Sequence, residues 1–61
     1  MQTYRIYVTN ISQALAVLKE QGFEGKDSGT FIEIAFNPSQ KMSVIMLLNQ
    51  NKIVVYDIEE V

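Results

Sequence analysis

The sequence predicts an α+β fold with the element order β-α-β-β-α-β, on two observations. A tetrapeptide of the form Asn-x-Ser-Gln occurs twice, as Asn10-Ile11-Ser12-Gln13 and as Asn37-Pro38-Ser39-Gln40. Each copy closes a short β-like run, residues 4–8 and 31–36, and each opens a stretch with helical apolar spacing. The 61 residues therefore divide into two strand-helix-strand halves of one domain. That length is near the lower limit for unaided folding, where only about 60% of the unfolded chain's surface becomes buried. Without Cys or His there is no disulfide or zinc to staple it, so stability rests on apolar packing, to which 48% of the residues contribute.

The elements follow in order. Tyr4, Ile6 and Val8 alternate with Arg5 and Tyr7, which is strand periodicity. Asn10 is a good N-cap, its side-chain oxygen accepting an N–H that has no partner within the helix, and Gln13 stands three residues on, where a capping box needs it. The first helix is expected over residues 11–21, with Ile11, Ala14, Leu15, Val17 and Leu18 on one stripe and Gly22 as its stop. Phe23-Glu24-Gly25 is expected to open a short second strand, Lys26-Asp27-Ser28-Gly29 to turn, and residues 30–36 to return as the third strand. Asn37 and Gln40 repeat the capping pattern, and Pro38 suits the first helical position, where a missing N–H costs nothing. The second helix is expected over residues 38–49, broken by Asn49-Gln50-Asn51, and the β-branched run 52–58 supplies the last strand. This plan is ferredoxin-like: a four-stranded antiparallel sheet of order 4-1-3-2 with both helices on one face.

Alternation directs Tyr4, Ile6, Val8, Ile32, Ile34 and Phe36 toward the helices. Arg5, Tyr7, Thr9, Phe31, Glu33 and Ala35 fall on the opposite, open face, joined by Val54 or Val55 from a last strand apolar on both sides. Tyr7 and Phe31 are thus candidates for partner contact, although aromatics on an open sheet also serve simply to shield the backbone. On the second helix, Val44, Ile45, Leu47 and Leu48 form the core stripe, while Met42 and Met46 lie toward the far side. These methionines are the second candidates for partner contact. Gap-filling in a small core is the reading preferred for them.

The chemistry that is missing is as informative. The net charge is −2, and the five basic residues, Arg5, Lys19, Lys26, Lys41 and Lys52, are scattered among acids, so no nucleic-acid partner is expected. The longest apolar run, residues 44–48, falls far short of the roughly 20 that a membrane span needs, and the N-terminus lacks a signal-peptide pattern. A cytoplasmic domain without direct membrane insertion is expected. Lacking His and Cys, the chain has neither the commonest catalytic base nor the commonest nucleophile and soft-metal ligands. Asp57, Glu59 and Glu60 have no Gly-bearing loop with ordered oxygen ligands, and are expected to form a solvated, frayed end. No phosphate-binding glycine motif is present. The loop after the first strand, Thr9-Asn10, lacks the Arg that acylphosphatases use there. Phe31-Ile32-Glu33-Ile34 lacks the basic, glycine-bearing character of RNA-recognition strands. No enzyme, metal or cofactor is expected.

Tyr4-Arg5-Ile6-Tyr7-Val8, the run from Ala14 through Leu18 to Gly22-Phe23, and a closing strand with Ile53, Val55 and Ile58 together cover nearly the whole chain. This pattern resembles the C-terminal accessory domain that follows the ATP-binding domain in ATP-binding subunits of bacterial ABC transporters of the bacitracin- and lantibiotic-export or immunity type. The resemblance implies a non-catalytic regulatory or interaction domain, with ATP hydrolysis performed elsewhere in the parent chain. It implies as partners the ATPase domain of that chain or its dimer mate, and a location at the inner face of the membrane through the transporter complex. In that family an acidic tail often follows the last strand, whereas here the sequence stops at Glu59-Glu60-Val61, so the resemblance suggests a domain excised from a longer chain. Two alternatives stand beside it. One is a free-standing ACT-like small-ligand sensor, for which Thr9-Asn10-Ile11 lacks the usual loop glycine. The other is a small homodimeric interaction protein working through its sheet face.

Overall fold

A computed structural model describes all residues, Met1–Val61. β1 spans Gln2–Val8, α1 Ile11–Glu20, β2 Gly25–Asp27, β3 Ile32–Phe36, α2 Lys41–Gln50 and β4 Val55–Glu60, with a 3-10 turn at Pro38–Gln40 leading into α2. The strands form one four-stranded sheet of order β2-β3-β1-β4 in which every neighbouring pair is antiparallel. This is the ferredoxin-like arrangement that the sequence predicts. No helix is long and apolar enough to cross a membrane.

Tyr4, Ile6 and Val8 of β1 and Ile32, Ile34 and Phe36 of β3 are buried against Ala14 and Leu18 of α1 and Val44 and Leu48 of α2, with Ile53 closing the cluster. No other residue type enters the core, since every buried residue is apolar or aromatic. Tyr4 stacks on Phe36 with ring centroids 4.4 Å apart, and Phe23 meets Phe36 edge-on at 6.2 Å. The Tyr4 hydroxyl is buried without a hydrogen-bond partner.

Both helices are punctuated as the repeated tetrapeptide implies, but not identically. Asn10 accepts from the Gln13 N–H at 3.1 Å, capping α1 from one side only. At Asn37 the box is complete: Asn37 accepts from the Ser39 N–H at 3.1 Å, and Gln40 Oε1 accepts from the Asn37 N–H at 3.2 Å. That second cap opens a 3-10 turn before the α-helix begins at Lys41, so the tetrapeptides mark equivalent starts while the buried faces, Ala14/Leu18 and Val44/Leu48, repeat at a different offset. The helix ends match more closely. Gly22 and Phe23 donate to the carbonyls of Lys19 and Leu18, and Lys52 and Ile53 donate to those of Asn49 and Leu48, which makes a Schellman motif in each half.

These caps explain where the strand boundaries depart from expectation. Phe23 is consumed by the first Schellman motif, so β2 begins at Gly25, and Lys26-Asp27 belong to the strand rather than the turn. The reversal instead follows Asp27, whose carboxylate accepts from the Gly29 N–H at 2.9 Å. Asn51, Lys52 and Ile53 are likewise consumed by the second motif, which moves β4 to Val55–Glu60. Asp57, Glu59 and Glu60 are therefore not a frayed end; they sit in β4, opposite Tyr7, Arg5 and Tyr4.

Candidate functional site

No helix covers the second face of the sheet, and the strand register arranges its side chains in rows. Across the middle runs a row of charges: Lys26 of β2 lies opposite Glu33 of β3, Glu33 opposite Arg5 of β1, and Arg5 opposite Glu59 of β4. The signs alternate at every step. One pleat away, at the end bearing the β2–β3 hairpin, Phe31 and Tyr7 meet with ring centroids 5.4 Å apart, and Tyr7 meets Tyr56 at 6.4 Å. One pleat the other way, Thr3 lies opposite Ala35. The Arg5 guanidinium joins the first two rows, its carbon 5.2 Å from the centroid of the Phe31 ring, which is cation–π range.

Tyr56 reaches this face through a break in the alternation. Tyr7 pairs with Asp57 and Val8 with Val55, so Tyr56 is the extra residue of a β-bulge and its ring swings to the aromatic side. The expectation that Val54 or Val55 would occupy this place is thus corrected. Val55 packs toward the core opposite Val8, and Val54 precedes the strand, where its N–H and carbonyl are bonded by Thr9. Periodicity could not have found Tyr56, because a bulge shifts the period by one.

The electrostatics of the face follow from these neighbours. Hydrogen bonding to the Glu59 carboxylate raises the Tyr7 phenol above its ordinary pKa, and partial burial and the Glu59 charge add to the effect. Nearby Asp57 acts in the same sense, and Arg5 opposes it. On the core side, burial raises the Tyr4 phenol, with a smaller contribution from Glu60.

Tyr7 and Phe31 are in mutual contact, each half-buried. Met42 and Met46 are elsewhere, on α2, 64% and 54% exposed. The preferred reading of these methionines as core filler is corrected: the core is closed by Val44 and Leu48, and the helical turn carries Met42 and Met46 outward. Met46 lines one side of a shallow groove of about 310 Å³ with Phe23 and Leu47, rimmed by Gln21, Ser43 and Gln50. The groove has no charged group to orient a ligand. The open face has both apolar area and ordered charge, so of the two surfaces it is better equipped for specific recognition. No protein-family model matches this chain, and comparison with curated proteins and with solved structures finds no match either.

Proposed function

We propose that this chain is a non-catalytic interaction domain whose working surface is the open face of the sheet, and that it serves as a C-terminal regulatory appendage of an ABC transporter ATP-binding protein of the antibiotic-export or resistance type. One observation carries the contact reading: Phe31, Tyr7 and Tyr56 cluster on a face that no element of this chain covers. The transporter part rests on the sequence resemblance. In that setting the partner is the ATPase domain of the parent chain or of its dimer mate, and the domain works in the cytoplasm at the inner face of the membrane. Full burial of a large apolar side chain stabilises by about 1.5–3 kcal/mol. Tyr7 and Phe31 gain less than that on docking, because each is already half-covered.

Two measurements test the proposal. The reading frame upstream of Met1 should continue into an ATP-binding domain with a glycine-rich phosphate loop; a frame that does not would remove the transporter assignment. In the full-length subunit, Tyr7→Ser with Phe31→Ser should weaken docking of this domain on the ATPase domain while the domain still folds. If docking persists and Met46→Gln disrupts it instead, the groove on α2 is the contact surface.

A further inference from the structure

We propose that the open face pairs with the same face of a second copy of this chain, about a two-fold axis that runs along the strands between β3 and β1. The inference rests on the reading of this face as a contact surface and names its occupant in the free domain, a second copy that docking on the ATPase domain would displace.

The alternating row decides the geometry. In the order Lys26, Glu33, Arg5, Glu59 the signs run plus, minus, plus, minus across four strands. Alternation within one sheet already favours the monomer through cross-strand pairs. An even-numbered alternating row has a second property: reversed end for end, it becomes its own complement. A two-fold axis along the strands performs that reversal. It sets Arg5 of each copy against Glu33 of the other, at the centre, and Lys26 against Glu59 at the rim. The same operation lays the aromatic row on the aromatic row, with Phe31 beside Tyr7 of the mate, and small Thr3 and Ala35 on their counterparts. Sheets packed face to face keep their strands nearly aligned, as this arrangement requires.

Two other symmetric pairings fail. An axis across the strands through the charge row sets every charge against its own kind and the aromatic row against Thr3 and Ala35. Pairing through the exposed edge of β4 brings Asp57, Glu59 and Glu60 against the same three acids, which opposes association. The area is also adequate. The domain measures 25 × 21 × 19 Å and exposes 3931 Å², of which one face is roughly a fifth, close to the ~800 Å² per partner of a standard interface. An interface of that size with a partly polar centre fits a micromolar Kd.

The test is sedimentation equilibrium of the free domain. Wild-type protein should be a dimer with a micromolar Kd that weakens as salt is raised. Arg5→Glu alone and Glu33→Arg alone should each weaken self-association at least tenfold, because each sets like charges together at the centre. Mixing the two variants should restore a heterodimer, and the chain carrying both substitutions should again self-associate. The doubly substituted chain keeps opposite charges at positions 5 and 33 but sets like charges beside Lys26 and Glu59, so circular dichroism must show it folded before it reports on the interface. Wild-type protein monomeric at millimolar concentration, or single variants as dimeric as wild type, or no recovery in the mixture, would each overturn the proposal. A free domain that stays monomeric, yet loses docking to the ATPase domain on Tyr7→Ser with Phe31→Ser, overturns the dimer and leaves the contact reading standing.

Discussion

Lys52 occupies a backbone conformation that the matching position of the first half gives to glycine. Its φ is 61°, whereas Gly22, at the same place in the first Schellman motif, has φ 86°. A left-handed residue with a Cβ costs about 1 kcal/mol relative to glycine, so Lys52→Gly should raise the unfolding free energy by roughly that amount. Gly22→Ala should lower it similarly, since a Cβ there meets nothing within 4 Å and the backbone alone sets the cost. Denaturant midpoints of the two variants should move in opposite directions; a shift in the same direction would mean that the two helix ends are not equivalent. Tyr7 makes a second prediction at this scale. Its folded pKa is raised, first by hydrogen bonding to Glu59, so its contribution to stability is fully present below the unfolded tyrosine pKa of 10.0 and is lost as pH rises through the folded value. Comparing the ultraviolet tyrosinate titrations of wild type and Tyr7→Phe should show that the missing phenol ionises above that reference. If Glu59→Gln leaves its ionisation unmoved, Glu59 is not the cause.

At the scale of elements, the two helix starts differ in completeness and should differ in sensitivity. Asn37→Ala removes the Oδ1 that accepts from both the Ser39 N–H and the Ser39 hydroxyl, and should cost about 1 kcal/mol, a large fraction of what a 61-residue domain has to spare. Asn10→Ala removes a single bond and should cost less. Equal losses in chemical denaturation would show that the Ser39 hydroxyl adds nothing to the second cap. The contact between α1 and the sheet depends on Gly25, where a Cβ would stand 2.8 Å from Ile32 Cγ2 and 2.9 Å from Leu15 Cδ2. Gly25→Ala should therefore destabilise by about 1–3 kcal/mol, as overpacking does, by lifting α1 from β2. A neutral result would mean that Leu15 has room to turn away.

For the whole molecule, the proposed role requires that the free domain be inert toward the nucleotide its parent chain would bind. Mg-ATP titrated into isotope-labelled domain should leave the backbone amide shifts unmoved, because the sequence has no glycine-rich phosphate loop. A saturable shift at one site would contradict the non-catalytic reading. The molecule has two outward surfaces of different character, an ordered sheet face and a softer patch around Met42 and Met46. Only the first combines a fixed backbone lattice with alternating charge, and a lattice is what converts contact into register.

The sequence by itself determined the order of elements, the two caps and the division of β1 and β3 into an inner and an outer face, because these depend on neighbours within a few residues. Tyr4, Ile6, Val8, Ile32, Ile34 and Phe36 were legible as core from alternation alone, and so were Tyr7 and Phe31 as outward residues. The tertiary structure alone decided the rest. Whether Phe23 and Ile53 belong to strands or helix caps depends on bonds back to Leu18 and Leu48, which compete with pairing across the sheet. Exposure of Met42 and Met46 depends on which side of α2 the sheet occupies. Tyr56 joins the aromatic row only because a bulge opposite Tyr7 and Val8 breaks the period of β4. The charge row exists only in register: Lys26, Glu33, Arg5 and Glu59 are dispersed along the chain, and four strands hydrogen-bonded in one particular alignment bring them into line.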